Sequence, residues 1–117
     1  MSWENILKDD SDINWEETTG YSREFWKYAM RETFEEWLRV IRKDIEYAGN
    51  HFNPELETQM GELIKKAIEH KSKNEIYEFA VIVYFIEQEI APELDKAVSQ
   101  KQREEGTGNW RTRRRRR

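Results

Sequence analysis

The chain contains no cysteine, which excludes a disulfide framework, a thiolate zinc site and a cysteine nucleophile, and suits a reducing, cytoplasmic location. Two prolines and five glycines in 117 residues leave too little turn chemistry for an all-β sandwich, and the helix formers Glu, Lys, Arg, Ala, Leu and Met dominate instead. Long apolar runs are lacking too. The longest, residues 76–86, is interrupted by Glu78 and falls short of the roughly 18 residues a membrane span needs. The opening MSWENILKDD has no basic segment leading into an apolar one, so neither secretion nor membrane insertion is expected.

What the chain does contain is charge and aromatic rings. Charged residues make up 38% of it, and five Trp, five Tyr and five Phe separate it from a polar sequence too poor in apolar surface to fold. The net charge of −4 is unevenly spread: residues 1–19 carry six acids and one Lys, residues 20–100 sixteen acids and eleven bases, and residues 101–117 two acids and eight bases. Ends of opposite sign bear on partners and self-association, not on fold.

Three segments carry helical periodicity. Over residues 22–48, Met30, Phe34, Trp37, Ile41, Ile45 and Ala48 recur at spacings of 4, 3, 4, 4 and 3, one face of a helix that Gly49 and Asn50 stop. Arg31 with Glu35, Glu35 with Arg39 and Arg42 with Glu46 are placed to pair along its outer surface. The second helix opens with Asn53 as cap and Pro54 at its first position, and its stripe is Leu56, Met60, Leu63 and Ala67 with Ile64 and Ile68 beside it. A third helix is expected to open with a capping box from Ser72 to Glu75. Its stripe runs through Phe79, Val83, Ile86, Ile90, Leu94 and Ala97, a phase that a buried strand over Val81, Ile82 and Val83 would not hold. Pro92 is expected to kink or divide this helix near Ile90.

Before the first long helix, Ser2, Trp3, Ile6 and Leu7 fit a short helical turn, and Glu16, Glu17, Thr18, Thr19 and Gly20 read as loop chemistry. The residues MSWENILK resemble the first residues of small uncharacterised proteins of marine archaea and their viruses, a likeness of eight residues that implies no activity. After Val98 hydrophobicity ends; residues 101–117 have the composition of a disordered Arg-rich tail.

The expected organisation is therefore an acidic N-terminal segment with a short helix or clasp (1–20), an all-α bundle of three long amphipathic helices, up-down-up around Trp37, Leu63 and Val83 (21–100), and the tail (101–117).

No pattern points to catalysis. The acidic pairs Glu16 and Glu17, Glu35 and Glu36, and Glu87 and Glu89 fit solvated helix faces. His51 and His70 fall at helix ends, no Glu-x-x-His repeat exists for a carboxylate metal centre, and no G-x-S-x-G or phosphate-cradling glycine loop occurs. No enzyme, cofactor or metal is expected. The rings of Trp26, Phe34 and Trp37 lie in phase with the aliphatic stripe and read as core.

Two features point to partners. Tyr77, Val81, Tyr84 and Phe85 lie on a different side of the third helix from its stripe, so that helix is either central or offers a second apolar face, to a protein partner, a second copy of the chain, or the N-terminal clasp carrying Ile13 and Trp15. The tail places Trp110 beside Arg111, Arg113, Arg114, Arg115, Arg116 and Arg117, a combination suited to phosphate neutralisation and base stacking. The same run also fits a solubility feature, an arm for the acidic N-terminus, or an appended purification sequence. The leading expectation is a small helical binding or adaptor protein, with a nucleic-acid accessory role as the alternative.

Overall fold

The computed structural model describes residues 14–105. They are 89% helical and contain no strand. Helix α1 is short (Trp15–Thr19); α2 spans residues 23–51; α3 is Pro54–Ser72; α4 spans residues 76–104. No helix among the described residues is long and apolar enough to cross a membrane.

Local chemistry sets most of the boundaries. Asn14 caps α1 by accepting from the Glu17 N–H at 3.1 Å, so Trp15–Thr19, expected to be partly loop, closes into a helical turn that ends at Gly20 in the left-handed conformation. Ser22 Oγ caps α2 through the Phe25 N–H at 3.1 Å. Asn53 accepts from Glu55 N at 2.7 Å, with Pro54 following at the first helical position.

The capping box expected of Ser72 and Glu75 does not form. Ser72 is the last residue of α3 and its hydroxyl donates back to the Glu69 carbonyl. The chain reverses on Asn74 at positive φ, with Asn74 N donating to Lys71 O and Glu75 N to His70 O, the hydrogen-bond pattern of a Schellman motif. Glu75 then caps no N–H with its side chain; its carboxylate meets His70 Nδ1 at 2.6 Å.

Helix α4 is central, contacting α1, α2 and α3. The first part of α2 packs on the first part of α4 and the later part on the later, so these two run parallel, while α3 returns antiparallel against the start of α4. This is the expected up-down-up order.

The third stripe is buried as expected: Phe79, Val83, Ile86, Ile90, Leu94 and Ala97. The first and second are shifted. The core contains Trp26, Met30, Phe34, Leu38, Ile41 and Ala48 from α2 and Met60, Ile64 and Ala67 from α3, whereas Trp37 and Leu63 are only half-buried at its edge. Along the outer surface of α2, Arg39 pairs with Glu36, three residues away, and Arg31 reaches Asn74 Oδ1 at 3.4 Å.

The shift in α2 has a backbone cause. Residues 26, 30, 34 and 38 repeat at a constant spacing of 4, which in a regular α-helix drifts around the axis by roughly 40° per step. A π-turn at Ala29–Thr33, where the Phe34 N–H donates to the Ala29 carbonyl, absorbs that drift. Helix α4 uses the same device at Ile86–Ile90, where the Ala91 N–H donates to the Ile86 carbonyl. Pro92 follows directly. It neither splits nor stops the helix, because the wider turn accommodates a ring that would otherwise meet the carbonyl four residues back.

Candidate binding cleft

The two π-turns border one cavity. It measures about 210 Å3 and opens between α2 and α4. The first π-turn contributes Ala29 and Thr33, the second Glu87 and Gln88. Pro92 has no N–H, so the Gln88 carbonyl at this cleft lacks its usual i+4 donor. Single π-turns concentrate at functional sites because they displace backbone and side chains from the regular helical path.

Aromatic rings line the rest. Trp26, Phe34 and Phe79 are buried, with Phe79 meeting Trp26 and Phe34 edge-on at centroid distances of 6.4 and 5.0 Å. Trp37 stacks on Phe34 at 5.6 Å, and Tyr84 and Val83 line the cavity from α4. At the mouth, Tyr21 and Phe25 stack at 4.2 Å and remain 49% and 44% exposed. Tyr28, on the same helix, is 60% exposed.

Among the described residues, one carboxylate and no Lys, Arg or His line the cleft. That acid, Glu87, accepts a 2.6 Å hydrogen bond at Oε2 from the Trp37 indole N–H. The bond explains why Trp37 stays at the edge of the core: its polar atom reaches a carboxylate across the helix pair, as a partly buried indole requires. Glu87 is exposed, as are Glu35, Glu36 and Glu89.

Helix α1 closes one flank. Thr19 is fully buried; its hydroxyl donates to the Trp15 carbonyl at 2.6 Å, and its own carbonyl accepts from the Trp26 indole at 3.2 Å. Gly20 lies against Tyr84 so closely that a Cβ there would stand 2.6 Å from the ring. Trp15 meets Tyr77 edge-on at 5.1 Å. Its indole N–H is buried with no hydrogen-bond partner among the described residues.

The four residues read as a partner face are thus divided. Tyr77 and Tyr84 pack beneath α1 and its following turn, Tyr84 also faces the cleft, Val81 is half-buried, and Phe85 is exposed outside the cleft. Trp110, Arg111, Arg113, Arg114, Arg115, Arg116 and Arg117 lie outside the described residues, as do Trp3, Ile6, Leu7 and Ile13. The ledge of Tyr21 and Phe25 and the role of Glu87 were not expected. The constant spacing of 4 and Pro92 were the signals that mark the two π-turns.

The histidines join elements. His51 Nε2 lies 2.9 Å from Glu104 Oε1, tying the end of α2 to the end of α4. His70 Nδ1, Glu75 and Glu78 offer ligand atoms within 4.8 Å of one another. Ligands around a tetrahedral zinc sit roughly 3.4 Å apart. Closing on an ion would require these side chains to move inward and the His70 to Glu75 hydrogen bond to break.

The chain matches no protein-family model, no curated protein and no solved structure.

Proposed function

We propose that this is a non-enzymatic binding protein that grips a protein partner in the aromatic cleft between α2 and α4. The observation that carries this reading is the continuity of an exposed Tyr21 and Phe25 ledge with a preformed cavity of about 210 Å3. Sites for drug-sized molecules occupy roughly 300–1,000 Å3; a smaller cavity suits one anchoring side chain of a partner. Aromatic residues are enriched at the cores of protein interfaces and contribute large contact areas with few rotatable bonds.

Selection of displayed peptides on the full chain, with counter-selection on the Phe25→Glu variant, tests this reading. Peptides enriched on the wild type and lost on the variant are expected. Failure to enrich any such peptide would overturn it. Light scattering against concentration distinguishes a second copy of the chain from a different partner.

The second reading, a nucleic-acid accessory role, is favoured by the eight bases in residues 101–117. Contact through such a run would be to phosphates and insensitive to sequence. A gel shift with the full chain and with a chain ending at Gly106 tests it: equal mobility of nucleic acid with both would remove the tail as contact surface.

A further inference from the structure

We infer that the group the cleft receives is the guanidinium of an arginine side chain on the partner, an inference that rests on the cleft being the binding site.

Charge comes first. Among the described residues the only carboxylate of the lining is Glu87, and no lysine, arginine or histidine of that set lines the cavity to neutralise it. A cationic group therefore meets a complementary field, and aromatic faces add to it through their quadrupoles. Orientation comes second. The Trp37 indole holds Glu87 Oε2 at 2.6 Å, so the carboxylate is fixed before a ligand arrives. Glu87 is itself exposed, and the indole bond reduces the side-chain ordering it would undergo on binding. The indole takes one lone pair, and a carboxylate has acceptor sites in excess of that.

Shape decides between cations. Guanidinium is planar and donates in its plane while its faces stack on rings, so it engages a carboxylate and an aromatic wall together. An ammonium has three donors and no stacking face. The ring pairs Phe34 with Trp37 and Tyr21 with Phe25 are each near-parallel, at 23° and 24°, and line the same cavity as Glu87. A neutral apolar anchor would fill the volume but leave the oriented carboxylate without a counter-charge.

The test uses full-length protein and blocked Leu-Xaa-Leu tripeptides in which Xaa is arginine, citrulline or lysine. The readout is the indole 15N–1H resonance of Trp37, assigned by its loss in Trp37→Phe. The arginine peptide is expected to shift this resonance, to bind at least about ten-fold more tightly than the citrulline peptide, roughly the value of one charge-assisted contact, and to bind more tightly than the lysine peptide, whose ammonium has no stacking face. Glu87→Gln, which preserves an acceptor for the indole, is expected to abolish that preference, whereas Glu89→Gln retains it. Equal binding of citrulline and arginine would overturn the guanidinium assignment and leave the cleft reading standing. Equal binding of lysine would likewise overturn it, reducing the site to simple charge attraction. No response to any of the three peptides at millimolar concentration would overturn both.

Discussion

The same two parallel helices meet in different ways at their two ends. Toward the C-terminal end, Leu38, Ile41 and Ala48 of α2 are buried along the later half of α4 with Leu94 and Ala97. The ends are tied by His51 to Glu104 at 2.9 Å and Tyr47 to Glu105 at 2.6 Å. Toward the N-terminal end the facing residues are rings, both helices widen into π-turns, and about 210 Å3 stays open. Short aliphatic side chains let two helices approach and fill the space between them. Rings joined edge to face leave space between them, and a π-turn on each helix redirects side chains into it. One end supplies cohesion, the other a surface with unmet contacts.

Substitutions that cross this divide should differ in size. The largest expected loss is from Phe79→Ala, because Phe79 is buried against both Trp26 and Phe34. Urea unfolding should show a loss of about 3–5 kcal/mol. A loss below about 1 kcal/mol would mean that the ring cluster is not what holds the open end together. Next is Gly20→Ala. The residue has φ +79° and its added Cβ would meet Tyr84, so on the order of 1–3 kcal/mol should be lost as α1 lifts from α4. Stability unchanged within about 0.5 kcal/mol would show that α1 does not clasp the cleft.

Smaller effects sharpen the contrast between a π-turn and a regular turn. In a Pro92→Ala background, where no ring can meet the carbonyl four residues back, deleting exposed Gln88 from the π-turn Ile86–Ile90 converts it to an ordinary turn while keeping Ile86 and Leu94 in phase. The change should stay under about 1 kcal/mol. Deleting exposed Asp95 from the closed end rotates Ala97 by roughly 100° away from α2, and thermal unfolding should register a much larger loss. Equal losses would contradict the register-absorbing role of the π-turn. The smallest effect is expected of Trp15→Phe. It keeps a ring against Tyr77 and removes a buried, unpartnered N–H. Since an unsatisfied donor costs about 1–3 kcal/mol, its removal should offset most of the lost packing. A loss of 3 kcal/mol or more would show that the indole carries packing that phenylalanine cannot replace.

How much of this was legible in the sequence follows from how local each feature is. Asn53 and Pro54 announce α3, and the stripe from Phe79 to Ala97 announces α4, because capping and periodicity act over a few residues. The stripe of α2 was read through Trp37 because 4, 3, 4, 4 and 3 is the regular pattern. The buried face instead follows 26, 30, 34 and 38, a set that closes only with a π-turn in the backbone. Ser72 and Glu75 matched a capping box, but α3 continued through Ser72 and the Asn74 turn took precedence. The cleft was least legible. Trp37 and Glu87 are 50 residues apart, and their meeting depends on the parallel register of α2 and α4, which no local pattern encodes. Trp26, Phe34 and Trp37 read as core by phase alone; two of the three are core, and all three also line the cavity.

The most direct test is a map of backbone and indole chemical-shift changes in the full chain on saturation with a peptide selected for binding. The account predicts that shifts concentrate at Tyr21, Phe25, Trp37, Tyr84 and Glu87, and are absent at Leu38, Ile41, Leu94 and Ala97. Shifts centred on those four aliphatic residues, or on Phe85 with the cleft silent, would contradict it.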